Sequence, residues 1–207
     1  MTIPNIQLQV PGGATKILLH ACCAPCSGAI LECMLENRLY PTVFYYNPNI
    51  SPPAEYETRK AENRRFAESL GLPFVDWDYE HAAWRTQVEG LESEPERGAR
   101  CSVCFRMRLV ATARYAAGHG FEVFTTTLAS SRWKDLAQIA EAGQYAASLF
   151  PGVAFWEQNW RKGGLSERRK ELIRQNGFYN QNYCGCEFSR RERMQNEVKQ
   201  ENECTTV

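Results

Sequence analysis

Short apolar runs alternate along the chain with longer segments in which apolar residues recur every three or four positions. Runs of the first kind are typical of buried strands, and segments of the second kind are typical of amphipathic helices. The apolar runs predict five strands, at residues 16–21, 42–46, 73–77, 122–127 and 153–156. The segments between them predict helices at residues 27–37, 54–70, 81–89, 101–117, 133–149 and 165–176.

The alternation of strands and helices predicts an α/β fold, with a mostly parallel, Rossmann-like sheet that helices cover on both faces. Ligands of such sheets bind outside the carboxyl ends of the strands. We therefore expect the turns at residues 22–27, 47–51 and 128–132 to meet at one edge of the sheet. His20, at the end of the first predicted strand, is expected to be a hydrogen-bonded core residue.

A single α/β domain is expected at residues 16–189, because a chain of 207 residues has the length of one domain with a sizeable core. Residues 1–15 are expected to be a loose lead-in segment. Residues 190–207 are polar and carry no apolar pattern, which predicts a C-terminal tail that is either loose or helical.

Composition narrows the class of protein only slightly, since 43% hydrophobic and 23% charged residues are ordinary for a globular protein. No apolar run approaches a membrane span, and residues 1–13 do not resemble a secretory signal, so we expect a cytoplasmic protein without a membrane partner. The formal net charge of zero does not favour a nucleic-acid partner. Basic segments at residues 97–108 and 161–170 are typical of solvated helix faces, and a phosphate-binding rim is the alternative.

Nine cysteines are many for a chain without an export signal, and in a reducing compartment they favour metal ligands or catalytic thiols over disulfides. Cys22, Cys23 and Cys26 lie between a predicted strand and a helix N-terminus, where the peptide N–H groups lower the pKa of a thiol. Cys33 has the spacing of a buried helix residue, and Cys204 lies in the polar tail. The other seven fall into three groups: Cys22, Cys23 and Cys26; Cys101 and Cys104; and Cys184 and Cys186.

The spacing of Cys101 and Cys104 is typical of half a zinc site, of a redox dithiol and of half an iron–sulfur site. Together with Cys22, Cys23 and Cys26 it supplies five thiols, which is more than one tetrahedral zinc ion needs. The turn of three cysteines also differs from a zinc knuckle. An iron–sulfur cluster is therefore favoured over zinc, and the fifth thiol can bind a second metal or react.

The Cys184-Gly185-Cys186 pair has three interpretations. It can close a strained disulfide that is easily reduced, it can place one thiol on a metal, or it can be a buried apolar pair in an aromatic segment. The residues alone leave these alternatives open.

Two further strand ends carry polar side chains that suit a nucleotide. Residues 45–50 offer aromatic rings and amides that can stack on a base and read its edge. The threonines at residues 125–127, with Ser130 and Ser131, offer hydroxyls for a phosphate, although threonine is also common in strands. No glycine-rich fingerprint for ATP or NAD is present, so the electrons of a redox reaction would enter through the metal centre.

The order of these motifs resembles that of one protein family. Along residues 16–189 the chain carries LLHACCAPCS, YYNPNISPPAEYETR, RCSVCFRMRL, FTTTLASS, RKGG and YNQNYCGC. This series is similar to that of the cobalamin-independent epoxyqueuosine reductases of the QueH type. The chain departs from the family's pattern after Ser131, where Arg132 and Trp133 stand in place of an expected proline and tyrosine.

The resemblance implies a fold like that of the adenine nucleotide α-hydrolases, the PP-loop or HUP fold. It implies a two-electron reduction of the epoxide of epoxyqueuosine, at the wobble position of tRNA, in the last step of queuosine biosynthesis. A low-potential electron donor would be the second partner. The implied cofactors are a 4Fe–4S cluster and an adjacent mononuclear iron.

Carried over onto this sequence, the resemblance assigns the cluster and its neighbouring iron to four thiols and gives three others a chemical role. Cys26 stands where some members have aspartate, so it would be an extra ligand of the second metal or a free catalytic thiol. Cys184 and Cys186 match a terminal pair with a redox role, for which a disulfide is expected. The four expected ligands of the cluster are Cys22, Cys23, Cys101 and Cys104.

Two other functions fit parts of the sequence. An iron–sulfur-dependent tRNA thiolase of the same fold should carry an S-G-G-x-D-S loop after the first strand, where this chain has ACCAPCS. A zinc-stabilised RNA-binding module without enzymatic activity would use the same thiols. A brown colour after anaerobic purification distinguishes an iron–sulfur enzyme from the colourless zinc protein.

Overall fold

The computed structural model describes residues 6–204 of the chain, with side chains described up to residue 199. Within this part of the chain the sheet is entirely parallel and has the strand order β3-β2-β1-β4-β5. This confirms the predicted α/β class with a Rossmann-like sheet. The strands, numbered along the chain, are β1 (Ile17–His20), β2 (Thr42–Tyr45), β3 (Phe74–Asp76), β4 (Val123–Thr126) and β5 (Ala154–Phe155).

Helices connect the strands and cover the sheet. They are α1 (Ala24–Glu36), α2 (Pro53–Ser69), α3 (His81–Gln87), α4 (Ala99–Gly118), α5 (Leu136–Ser148), α6 (Leu165–Asn176) and α7 (Glu187–Cys204). Short 3-10 turns lie at Pro11–Gly13 and Thr127–Ser130. The described part of the predicted polar tail is helical, because α7 begins before it and continues through it.

Helix α1 begins three residues earlier than the apolar pattern predicts. Cys23 is its N-cap residue, with an extended backbone, and Pro25 occupies the first turn, where its missing N–H is not needed. Cys26 therefore lies inside the first helical turn instead of preceding the helix. This places the three thiols on one tight turn at the end of β1.

The two faces of the central strand β1 contact separate apolar clusters. Ile17 and Leu19 point into a cluster formed with α1, α2 and α6, whereas Leu18 points into a cluster formed with α4 and α5. This alternation is the period of two that a strand imposes on its side chains. Cys33 is fully buried in the first cluster, which confirms its prediction as a core residue.

The carboxyl ends of β1, β2 and β4 meet, as the topology predicts. The N–H group of Cys22 donates a hydrogen bond to Oγ1 of Thr127, at 3.2 Å, in the turn after β4. Nδ2 of Asn47, just after β2, donates to the carbonyl of Ala21 at 2.9 Å. The cysteine turn is thereby fixed between the two neighbouring strand ends.

Among residues 6–204, no helix has the length and apolar character needed to cross a bilayer. The cytoplasmic location and the domain limits at residues 15 and 189 stay predictions.

Candidate metal centre

Three thiols at the carboxyl end of β1 form a compact group. The sulfur atoms of Cys22, Cys23 and Cys26 all lie within 4.8 Å of one another, and those of Cys22 and Cys23 are 3.7 Å apart. Among the side chains that the structure describes, no other group of three or more histidine, cysteine or carboxylate ligand atoms is this close. Two thiolates bound to one tetrahedral ion at about 2.3 Å lie about 3.8 Å apart, so this spacing suits a metal.

The three thiols share their protons unequally. Hydrogen bonds from the thiols of Cys23 and Cys26 hold the pKa of Cys22 well below its usual range. The pKa values of Cys23 and Cys26 are raised, chiefly because both are hydrogen-bonded to Cys22 and both are buried. The first negative charge therefore forms on Cys22, and a thiolate is the form of cysteine that binds metals.

The Cys101–Cys104 pair lies on the first turns of α4, next to the cysteine turn. Cys101 and Cys22 pack against the same apolar cluster, and the N–H group of Arg97 donates to Sγ of Cys101 at 3.3 Å. Burial raises the pKa of Cys101 to about 12, and the neighbouring Cys184 adds to this rise. Neither Cys101 nor Cys104 belongs to the 4.8 Å group.

Cys104 is buried in a small apolar cluster with Trp84, Cys186 and Phe188. Burial raises the pKa of Cys104, while the nearby guanidinium of Arg108 acts in the opposite direction. Nε1 of Trp84 makes no hydrogen bond to any described residue. An unpaired buried donor beside a thiol is suited to a thiolate or sulfide acceptor.

The third cysteine group corrects one prediction. Cys184 and Cys186 are free thiols in this structure, so the disulfide expected for this pair is not supported. The two side chains lie in different surroundings, since Cys186 is buried against Trp84 and donates to Oγ of Ser189 at 3.4 Å. Cys184 instead lies close enough to Lys134 to be the main charge that raises the lysine's pKa.

The backbone around Cys184 is held by a buried arginine of α2. Arg59 is 2% exposed, binds Glu55 through Nε at 2.6 Å and donates from Nη1 to the carbonyl of Cys184 at 3.2 Å. Gly185 has φ +128°, and a Cβ there would lie 3.0 Å from Nη1 of Arg59. Glycine is thus required for this close approach.

Two cations balance the thiols. Arg108 is 2% exposed, and its Nη2 donates a short hydrogen bond to Oδ1 of Asn47. Burial lowers the pKa of Lys134, but Cys184, Cys22 and Cys26 more than compensate and raise it overall. Cations with this little contact with water need a negative partner, and no described carboxylate pairs with Arg108 or Lys134, so the thiols are suited to supply it.

Sequence reasoning did not identify these cations, nor Gln181, whose Nε2 donates to Sγ of Cys23 at 2.8 Å. For Arg108 alone the sequence spacing could have indicated proximity to the thiols, because Arg108 follows Cys104 by one helical turn and so lies on the same face of α4.

His20 has a structural role, as predicted. Its two ring nitrogens contact Oγ1 of Thr126 at 2.8 Å and the carbonyl of Tyr46 at 3.1 Å. Burial, followed by the charge of Arg108, lowers the pKa of His20 to about 3. The imidazole is therefore neutral, with Nε2 donating to Tyr46 and Nδ1 accepting from Thr126.

A parallel α/β sheet whose carboxyl edge gathers the thiols of three separate segments defines a class of α/β proteins with a cysteine-rich site. Comparison with known families identifies the particular one. The model of the family described as "Epoxyqueuosine reductase QueH" matches residues 17–192, and the chain belongs to this family. The enzyme class predicted from the motifs, an oxidoreductase, is confirmed.

Curated relatives with the name epoxyqueuosine reductase QueH cover most of the chain. The relative from Acinetobacter baylyi is 47% identical over 192 residues, which are 93% of this chain and 88% of the relative. The relative from Haemophilus influenzae is 49% identical over 186 residues, covering 90% and 76% of the two chains. The relative from Thermotoga maritima is 36% identical over 182 residues, covering 86% and 92%.

Proposed function

We propose that the protein reduces the epoxide of epoxyqueuosine in tRNA to the alkene of queuosine. The observation that carries this proposal is the tight group of Cys22, Cys23 and Cys26, with the Cys101–Cys104 pair packed beside it, in a chain of the epoxyqueuosine reductase family. The reaction consumes two electrons and two protons, breaks both C–O bonds of the epoxide, and releases its oxygen as water. A low-potential electron donor and tRNA are the partners that this reaction needs.

We propose that Cys22, Cys23, Cys101 and Cys104 hold a 4Fe–4S cluster together with an adjacent iron. The donor set fits, because it consists of two buried and two half-buried thiols with cationic neighbours and an unpaired N–H donor beside Cys104. When bound, the cluster and iron would supply the electrons and a Lewis acid for the epoxide oxygen.

The remaining thiols have separate proposed roles. Cys26 lies within 4.8 Å of both Cys22 and Cys23, which suits an additional ligand of the second metal. As a free thiol beside the metal, Cys26 would instead be suited to deliver a proton to the departing oxygen. Cys184, beside Lys134, and Cys186, beside Cys104, would adjust the charge at the two ends of the site.

The positive side chains hold the reacting part of the site in place. Arg108 ties α4 to the turn after β2 through Asn47, and Asn47 in turn binds the end of β1. Arg59 fixes the backbone of Cys184 from α2. These contacts hold the thiol-bearing segments at fixed positions relative to each other, so that the metal ligands would be pre-oriented.

The test is conversion of epoxyqueuosine-containing tRNA under anaerobic conditions, followed by nucleoside analysis. The reconstituted protein with a strong reductant is expected to produce queuosine. Cys22→Ala is expected to abolish the product, whereas Cys33→Ala, which alters a thiol in the distant core cluster, should retain it. Failure of an iron-loaded native protein to form any queuosine would refute the proposal.

A further inference from the structure

The loop between β4 and α5, Ser131–Asp135, exposes a large aromatic side chain beside the thiol site. We call it the Trp133 loop. Trp133 is 61% exposed, and the guanidinium of Arg132 lies over its ring, 4.6 Å from the centroid. An exposed indole with a cation on one face combines a stacking surface with a positive charge.

The backbone of the Trp133 loop is fixed from both sides by arginines. Nε of Arg97 donates to the carbonyl of Trp133 at 2.9 Å, and its Nη2 donates to that of Arg132 at 3.2 Å. Nη2 of Arg161 donates to the carbonyls of Ser131 and Lys134. The ring of Trp133 is therefore presented to solvent by an ordered support.

Arg97 also connects the loop to the thiols. It has φ +69°, which is uncommon for a residue other than glycine, and its N–H group donates to Sγ of Cys101 at 3.3 Å. On the other side of Trp133, Lys134 lies near Cys184, Cys22 and Cys26. Trp133 thus occupies the rim of the metal centre, between its two halves.

The rim carries three arginines that form no ion pair with a described carboxylate. Within the part of the chain that the structure describes, no carboxylate oxygen lies within 4.0 Å of the side-chain nitrogens of Arg97, Arg132 or Arg161. The carboxylate of the loop, Asp135, instead caps α5 by accepting from the N–H groups of Ala137 and Gln138. This excess charge is complementary to phosphodiesters.

We propose that Trp133 stacks on an unpaired nucleobase next to the reacting nucleoside of the tRNA, while Arg132 and the two arginines that fix the loop, Arg97 and Arg161, contact the adjacent phosphates. This inference rests on the proposed function for the identity of the RNA. Single-stranded RNA loops are bound in this way, by aromatic stacking combined with contacts to the backbone. The site would thereby hold the nucleotide chain against the rim while the modified base enters.

The test compares Trp133→Ala with Tyr40→Ala in binding an anticodon stem-loop RNA at fixed ionic strength. Tyr40 is 67% exposed and precedes β2, so it lies at the opposite edge of the sheet and is a matched control. Loss of one base–aromatic stack is expected to weaken binding about tenfold or more, and Trp133→Phe should recover most of the affinity. Tyr40→Ala should bind as the native protein does. With full-length tRNA, Trp133→Ala should raise KM more than it lowers kcat.

Equal dissociation constants for native protein and Trp133→Ala, at equal iron content, would overturn the inference. The inference would also be overturned if Trp133→Ala kept its RNA affinity but its metal centre accepted electrons more slowly from a protein electron donor. That result would assign the surface to the electron donor. Binding is measured without turnover. A native protein that binds the RNA through Trp133 but forms no queuosine would therefore refute the proposed reaction and not this surface.

Discussion

The sequence predicts which thiols of the first cysteine group lie together, but not which side chains surround them. The spacing of Cys22, Cys23 and Cys26 is local, and the structure places their thiols together. The cations and donors around them come from remote parts of the chain, so spacing could not reveal them. Arg59, Lys134 and Trp84 reach the thiols only through the packing of the turns at the edge of the sheet.

The indole N–H of Trp84 supports a prediction about the reduction potential of the metal centre. Its unpaired Nε1 lies against Cys104, and N–H donors to cluster sulfurs raise the reduction potential by stabilising the more negative, reduced state. Trp84→Phe keeps a ring in the pocket but removes the donor, so we expect a more negative potential in an anaerobic redox titration.

Trp160→Phe is the matched control for this change. Trp160 is also 1% exposed with an unpaired Nε1, but it belongs to the cluster on the other face of the sheet. An equal potential in native protein and Trp84→Phe, or an equal shift in both variants, would contradict the assignment of this donor to the metal centre.

The helices and strands were predictable from apolar periodicity, and the differences lie at their ends. Helix α6 has the predicted bounds, because Gly164 and Gly177 flank it with left-handed backbones. Strand β5 is shorter than predicted, with two paired residues at the edge of the sheet. Periodicity cannot locate such ends, since strand pairing and caps decide them.

Gly143 supports a prediction about the packing of α5 on β5. A Cβ at this position would lie 2.3–2.4 Å from three ring atoms of Phe155, so the glycine permits the close approach of helix and strand. Gly143→Ala should therefore lower the free energy of unfolding by about 1–3 kcal/mol, although alanine favours helices. Chemical denaturation measures the difference.

Gly118→Ala is the control, because a Cβ there meets no atom within 4 Å at the end of α4. This variant should be neutral or slightly more stable. A Gly143→Ala protein as stable as the native one would show that Phe155 moves aside without cost.

For the whole molecule, the sequence predicts the parallel sheet and the edge where its turns meet. It does not predict how far apart the three cysteine groups lie, nor that Cys184 and Cys186 stay free. Those features depend on where residues 177–186 cross the edge of the sheet. Arg59 fixes the position of that segment by donating to the carbonyls of Tyr183 and Cys184. Both residues lie more than 120 positions after Arg59 in the sequence.

The central claim is that thiols from separate segments hold one iron–sulfur centre. The most direct measurement is the iron and sulfide content of anaerobically reconstituted Cys101→Ser, beside Cys33→Ala and the native protein. We expect about four irons and four sulfides, or one iron more, in the native protein and in Cys33→Ala, and loss of the cluster in Cys101→Ser. Full iron and sulfide content in Cys101→Ser, or a native protein that binds only zinc, would contradict it.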